Sequence, residues 1–215
     1  MASFTKKYLS RNSKMTLDFW FDFGSTYSYP AAMRIEALAT SHGVRVSWRP
    51  FLLGAIFKTQ GMNDSPFNIY PARGRYMWRD LERVCQSEGV PFRRPSQFPR
   101  NGLLAARIAC WYSDAPWLPE FVRAVYGANF QDDLDISDAS VVAHCLTAIG
   151  QNAAEVLAHA QSAESKAKLR AQTDEAAKLG IFGAPFFIVD REPFWGNDRL
   201  EQAISWCEGK TGRKD

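Results

Sequence analysis

The sequence predicts an α/β domain interrupted by a long helical insertion. Three observations carry this expectation. A strand–helix–strand unit stands near the N-terminus, two short strands and a helix stand near the C-terminus, and residues 53–179 between them show helical periodicity with almost no strand signal. The expected organisation is an N-terminal extension at 1–14, disordered and outside the fold, an α/β domain assembled from 15–52 and 180–215, and an all-helical insertion at 53–179.

Taken in order, "LDFWFDF" (Leu17–Phe23) is dense in strand formers and reads as the first strand. Ser25 then stands at a plausible N-cap. "YPAAMRIEALATSHG" follows as a helix, with Ala32, Ile35, Leu38 and Ala39 at helical spacing and Gly43 ending it. "VRVSWRPF" alternates apolar and polar residues up to Pro50, giving a second strand parallel to the first. In the middle, helices are expected over Ala72–Ser87, Gly102–Ser113 and Pro119–Asn129. Three more are expected: one from a Ser137 cap to near Gly150, one opened by Asn152 with Glu155 three residues on, and one over Ser165–Leu179. "APFFIVDREPFW" reads as two short strands about a turn at Asp190-Arg191. "NDRLEQAISWCEG" then reads as a last helix, with Asn197 or Asp198 at its N-cap.

Bulk composition excludes several classes. The 215 residues suffice for a full core, and 46% hydrophobic with 23% charged residues is ordinary for a globular protein. A net charge of +3 is too small to argue for nucleic acid or a membrane surface, although arginines crowd the stretch from Arg73 to Arg107. No apolar run approaches the roughly 20 residues that cross a bilayer. The polar, basic residues 1–14 lack the apolar segment of a secretory signal. Cys85, Cys110, Cys145 and Cys207 are scattered, with no C-x-x-C among them, and the three histidines form no pair at ligand spacing. No metal site is expected, and a reducing, cytoplasmic compartment is the simplest inference.

Four features carry chemistry. Ser25 sits where a strand runs into a helix, and the unpaired N–H groups and dipole there stabilise an anion. Pro185, directly before a strand in "GIFGAPFFIV", is a candidate cis proline that would leave the Ala184 backbone free to pair with an extended peptide. Asn197 and Asp198 in "FWGNDR" suit a peptide's charged end. Lys58 with Asn63 and Asn68 forms a polar stretch at the start of the insertion. Each feature alone has a plainer reading: Ser25 and Asn197-Asp198 as helix caps, Pro185 as a trans proline opening an edge strand. Together, in chain order, they favour a ligand site.

"FDFGSTYSY", "RPFLLGAIFK", "GIFGAPFFIVD" and "FWGNDRL" make the chain resemble the glutathione-dependent branch of the DsbA-like thioredoxin superfamily, which holds the 2-hydroxychromene-2-carboxylate isomerases and the kappa-class glutathione transferases. The resemblance implies a thioredoxin-like fold with a large helical insertion, a homodimer and bound glutathione. It places Ser25 against the glutathione sulfur and pairs Ala184, beside a cis Pro185, with the peptide backbone. It gives Trp195, Gly196, Asn197 and Asp198 the γ-glutamyl end, and Lys58, Asn68 and Phe98 the substrate. Gly24-Ser25-Thr26 departs from the Ser-Pro that the isomerases commonly show there.

Ser25 and Ser28 stand where related redox proteins carry cysteines, and serines cannot exchange disulfides. With no base assigned beside it, the Ser25 hydroxyl is far too weak an acid to act as a nucleophile. It is better placed as a donor to a thiolate. A free thiol with a pKa of about 8.5 is only about 3% thiolate at pH 7, and lowering that pKa by about 2 units makes roughly three quarters thiolate. The expected activity is a glutathione-dependent isomerisation of a carboxylated aromatic-degradation intermediate. A kappa-type transferase or a non-catalytic glutathione-binding module is the alternative.

Overall fold

The computed structural model describes residues 16–209, so the expected extension at 1–14 lies outside the described residues. Strand β1 (Thr16–Phe21), helix α1 (Ser28–Ser41) and strand β2 (Arg45–Pro50) form the expected unit, with β1 and β2 parallel from Thr16↔Arg45 to Phe21↔Pro50. β3 (Phe186–Val189) and β4 (Glu192–Trp195) form the expected hairpin. The turn residues Asp190 and Arg191 both have positive φ, the backbone that a tight two-residue hairpin loop requires. β3 runs antiparallel to β1, giving the sheet order β2-β1-β3-β4.

Between β2 and β3 the described elements are all helical: α2 (Leu53–Thr59), α3 (Pro66–Ile69), α4 (Pro71–Ser87), α5 (Leu103–Trp111), α6 (Leu118–Phe130), α7 (Ala139–Ala148), α8 (Ala153–Ala160) and α9 (Ala163–Lys178). After β4 come a short 3-10 helix (Asn197–Arg199) and α10 (Leu200–Cys207).

Alternation along the strands sorts the core onto the two faces of the sheet. Leu17, Phe19 and Phe21 of β1, with Phe187 and Val189 of β3, pack into the main core against Tyr29 and Ile35 of α1 and Tyr126 and Phe130 of α6. Phe19 lies 5.0 Å from Phe21 and 5.4 Å from Phe187 by ring centroids, with Trp48 edge-on at 5.2 Å. Trp20 and Phe186 face the other way, into a smaller cluster with Phe51, Ile56, Ala176 and Ile181. Full burial of each such ring stabilises by about 1.5–3 kcal/mol, which fixes the register of the central strands.

Several local expectations are corrected. β1 stops at Phe21 rather than Phe23, because the Asp22 carboxylate accepts the Gly24 N–H at 2.7 Å and turns the chain. α1 starts at Ser28 with Tyr27 as N-cap, so Ser25 is not its terminal residue. Asp138, not Ser137, caps α7 by accepting the Ser140 N–H. Neither Asn197 nor Asp198 makes a side-chain cap, since the chain enters α10 through the 3-10 turn. α2 and α3 were not expected.

Candidate functional site

The C-terminal end of β1 and the N-terminal end of α1 open onto a cavity of about 1500 Å3. Ser25, Lys58, Phe98, Ala184 and the run Trp195–Asp198 all line it. Pro185 and Asn68 do not. Pro185 lies behind Ala184, and the Asn68 amide is committed to the Asp64 carboxylate at 3.1 Å and the Phe98 carbonyl at 3.2 Å. Asn68 therefore braces the wall from outside the cavity. Its neighbour in that bond, Phe98, lines the cavity and packs edge-on against Trp78 at 4.9 Å.

Ser25 links the helix mouth to the Pro185 loop. Its hydroxyl accepts the Ser28 N–H at 3.3 Å, one turn ahead of the helix, and donates to the Ala184 carbonyl at 2.9 Å. The Ala184-Pro185 bond is cis, as is Phe98-Pro99. The Thr26 and Tyr27 amides make no hydrogen bond to the described residues, so they and the dipole of α1 remain available to an anion beside Ser25. The Ala184 N–H is likewise without a partner among the described residues. Ser28, the other serine of the motif, is fully buried beneath the helix and does not line the cavity.

The far wall is the Trp195–Asp198 run. The Gly196 N–H donates to the Pro185 carbonyl at 3.0 Å, which ties this run to the cis-proline loop. Gly196 has φ +110, and a Cβ there would sit 2.5 Å from an Asp198 carboxylate oxygen, so only glycine fits. A Cβ at Gly183 would sit 2.4 Å from the Trp195 indole nitrogen, and its absence lets Trp195 lie edge-on against Phe182 at 4.7 Å. Asp198 is exposed and 3.4 Å from Arg199. Asn197 is only 7% exposed, and its carbonyl oxygen accepts from Arg34 at 3.2 Å. An amide nitrogen open to the cavity on a largely buried residue, with no protein partner among the described residues and unpaired backbone donors nearby, fits an extended peptide with a carboxylate at its end.

Two groups were not singled out from sequence. Asp22, three residues before Ser25, lines the cavity and accepts the N–H groups of Gly24 at 2.7 Å and Leu53 at 2.8 Å. Burial pushes its carboxyl above the ordinary value, against the pull of those two donors. Its acidic type at the end of a strand, just before a helix mouth, was the signal that could have found it. Tyr27 donates to Asp80 at 2.8 Å, and Asp80 accepts from Arg83 at 3.0 Å. Burial, reinforced by the Asp80 carboxylate, pushes the Tyr27 phenol well up. No residue near Tyr27 in sequence predicts this pairing, because its partner comes from α4.

None of the four cysteines lines the cavity, and all are buried. Burial pushes Cys85 up to about 12 and Cys110 up to about 11. Among the described residues no cluster of histidine, cysteine and acidic residues could hold a metal ion, and no helix is long and apolar enough to cross a membrane.

Comparison with known proteins gives consistent relatives. The family model for the DSBA-like thioredoxin domain matches residues 16–205. The 2-hydroxychromene-2-carboxylate isomerase of Sphingobium xenophagum is 30% identical over 188 residues, covering 86% of this chain and 94% of that protein. Glutathione S-transferase kappa 1 of Caenorhabditis elegans is 27% identical over 198 residues, covering 86% of this chain and 87% of that protein. The solved structure of a 2-hydroxychromene-2-carboxylate isomerase superposes with a TM-score of 0.80 at 26% identity, covering 91% of this chain and 97% of that one.

Proposed function

The chain belongs to the DSBA-like thioredoxin family, among the 2-hydroxychromene-2-carboxylate isomerases and kappa-class glutathione transferases, and on that premise we propose that it is a glutathione-dependent isomerase of a carboxylated, unsaturated aromatic-degradation intermediate. One observation carries the reading: Ser25, Ala184 and Asn197-Asp198, spread over the whole chain, line a single cavity. At about 1500 Å3 it exceeds the usual size of a one-ligand pocket and has room for a tripeptide and a second small molecule.

When bound, glutathione supplies a thiolate that adds reversibly to an electrophilic carbon, so that a conjugated double bond can rotate as a single bond. The rest falls to the chain. The Ser25 hydroxyl and the Thr26 and Tyr27 N–H groups hold negative charge at the sulfur position. The Ala184 N–H pairs with the extended peptide, while Asn197 takes the γ-glutamyl carboxylate and Asp198 the ammonium. Lys58, exposed at the end of α2 with no partner among the described residues, holds the substrate carboxylate, and Phe98 packs against its ring. Four cysteines scattered along the chain with no C-x-x-C pair support a reducing, cytoplasmic setting, and the reading includes a homodimer.

The test is the absorbance change of 2-hydroxychromene-2-carboxylate with and without glutathione. Turnover that needs glutathione, with glutathione recovered unchanged, is expected. Release of a glutathione conjugate would identify a kappa-type transferase. Binding without turnover would leave a binding module, and turnover without glutathione would overturn the reading.

A further inference from the structure

Asn197 is held in one orientation by a residue outside the cavity. Arg34 projects from α1, with only 12% of its side chain exposed. One guanidinium nitrogen donates to Glu88 at 2.8 Å and Glu201 at 2.7 Å, and the other donates to the Asn197 side-chain oxygen at 3.2 Å. Two carboxylates from α4's C-terminal end and α10 thus clamp the cation in place.

A guanidinium has five N–H donors and no acceptor, so only the oxygen of the Asn197 amide can face it. The amide nitrogen must point the other way. It lies on a residue that is 93% removed from solvent and lines the cavity, and it has no partner among the described residues. The nitrogen is not among the buried side-chain atoms left without a partner, so it stays open to the cavity, where an acceptor-only ligand group can take its N–H donors.

We propose that Arg34 is a positioning residue: by holding the Asn197 oxygen, it turns the amide nitrogen into the cavity as a dedicated donor for the carboxylate of a γ-glutamyl ligand. This rests on the glutathione reading and adds a determinant from α1 that touches neither ligand nor cavity. Asn197 selects the carboxylate because Arg34 forbids the amide from presenting its oxygen there.

The experiment measures binding of two ligands by calorimetry: glutathione, and 4-aminobutyryl-cysteinylglycine, which lacks only the γ-glutamyl carboxylate. Melting temperature is followed alongside. Asn197→Asp keeps an acceptor for Arg34 but presents oxygen to the cavity, so glutathione should bind about tenfold or more weakly while the analogue changes less than about twofold. Arg34→Lys keeps a cation between Glu88 and Glu201 but releases the amide, so glutathione should weaken several-fold and the analogue should not. Once Asn197 is alanine, Arg34→Lys should have no further effect on glutathione. Equal losses for both ligands in Arg34→Lys, no loss for either, or additive losses in the double variant would overturn the positioning role. Failure of the unaltered protein to bind glutathione at millimolar concentration would overturn the glutathione reading beneath it.

Discussion

Ser25 has one hydroxyl proton and two claims on it. In the structure the proton goes to the Ala184 carbonyl, while the oxygen accepts the Ser28 N–H. Donation to a bound sulfur requires the hydroxyl to rotate away from the Ala184 carbonyl. Ser25→Ala should leave glutathione affinity within about threefold, raise the thiol pKa followed by thiolate absorbance, and lower turnover about tenfold or more, as expected for losing a charge-assisted bond. An unchanged thiol pKa would reduce Ser25 to a link between the helix mouth and the cis-proline loop. Asp198 makes a gentler case. It caps no helix and is exposed beside Arg199, so the proposed pairing with a ligand ammonium would be screened. Asp198→Asn should leave the melting temperature unchanged and weaken glutathione only about three- to fivefold. Identical affinity in both proteins would remove Asp198 from the site.

Among the elements, legibility follows where each cap comes from. Asn152 accepts the Glu155 N–H to open α8, and Ser162 accepts the Ser165 N–H to open α9, and both caps lie within a few residues of what they serve. α2 has no such local cap. The Leu53 N–H is taken by the Asp22 carboxylate, 31 residues upstream, so a helix missing from the sequence pattern is completed by tertiary contact. A similar long-range clasp holds the Pro-rich segment before α5. Arg100, buried, is hydrogen-bonded to Asn129 and Ser96 and paired with Asp133. The Ser96 N–H, and next the Arg100 guanidinium, hold the Asp133 carboxyl down at about 2 from an ordinary 3.8. A lowered carboxylate stabilises the fold above its unfolded value, and that contribution is lost as pH falls. Melting temperature should therefore drop as pH falls from 3.8 towards about 2, and Asp133→Asn should flatten that part of the profile. An equally steep profile in the variant would show that Asp133 is not its source.

Over the whole molecule, the sulfur for any thiol chemistry must come from outside the chain. All four cysteines are buried, and burial holds the Cys85, Cys110 and Cys145 thiols protonated. At pH 8 none should react with an aromatic disulfide reagent in the native protein, and all four should react once it is unfolded; one fast native thiol would contradict this. The sequence by itself determined the order and type of most elements, the parallel pair, the closing hairpin and the motifs that mark the family, because helix and strand periodicity and tight-turn chemistry are written within a few residues. Only the tertiary structure decided which motif residues meet. It joined Ser25 to Ala184 across 159 positions and Arg34 to Asn197 across 163, set Asn68 outside the cavity while leaving Phe98 on its wall, and brought Asp80 to Tyr27. Those pairings depend on how α1, α4 and the closing hairpin pack around one sheet, and no local pattern in the chain encodes the direction in which a side chain then points.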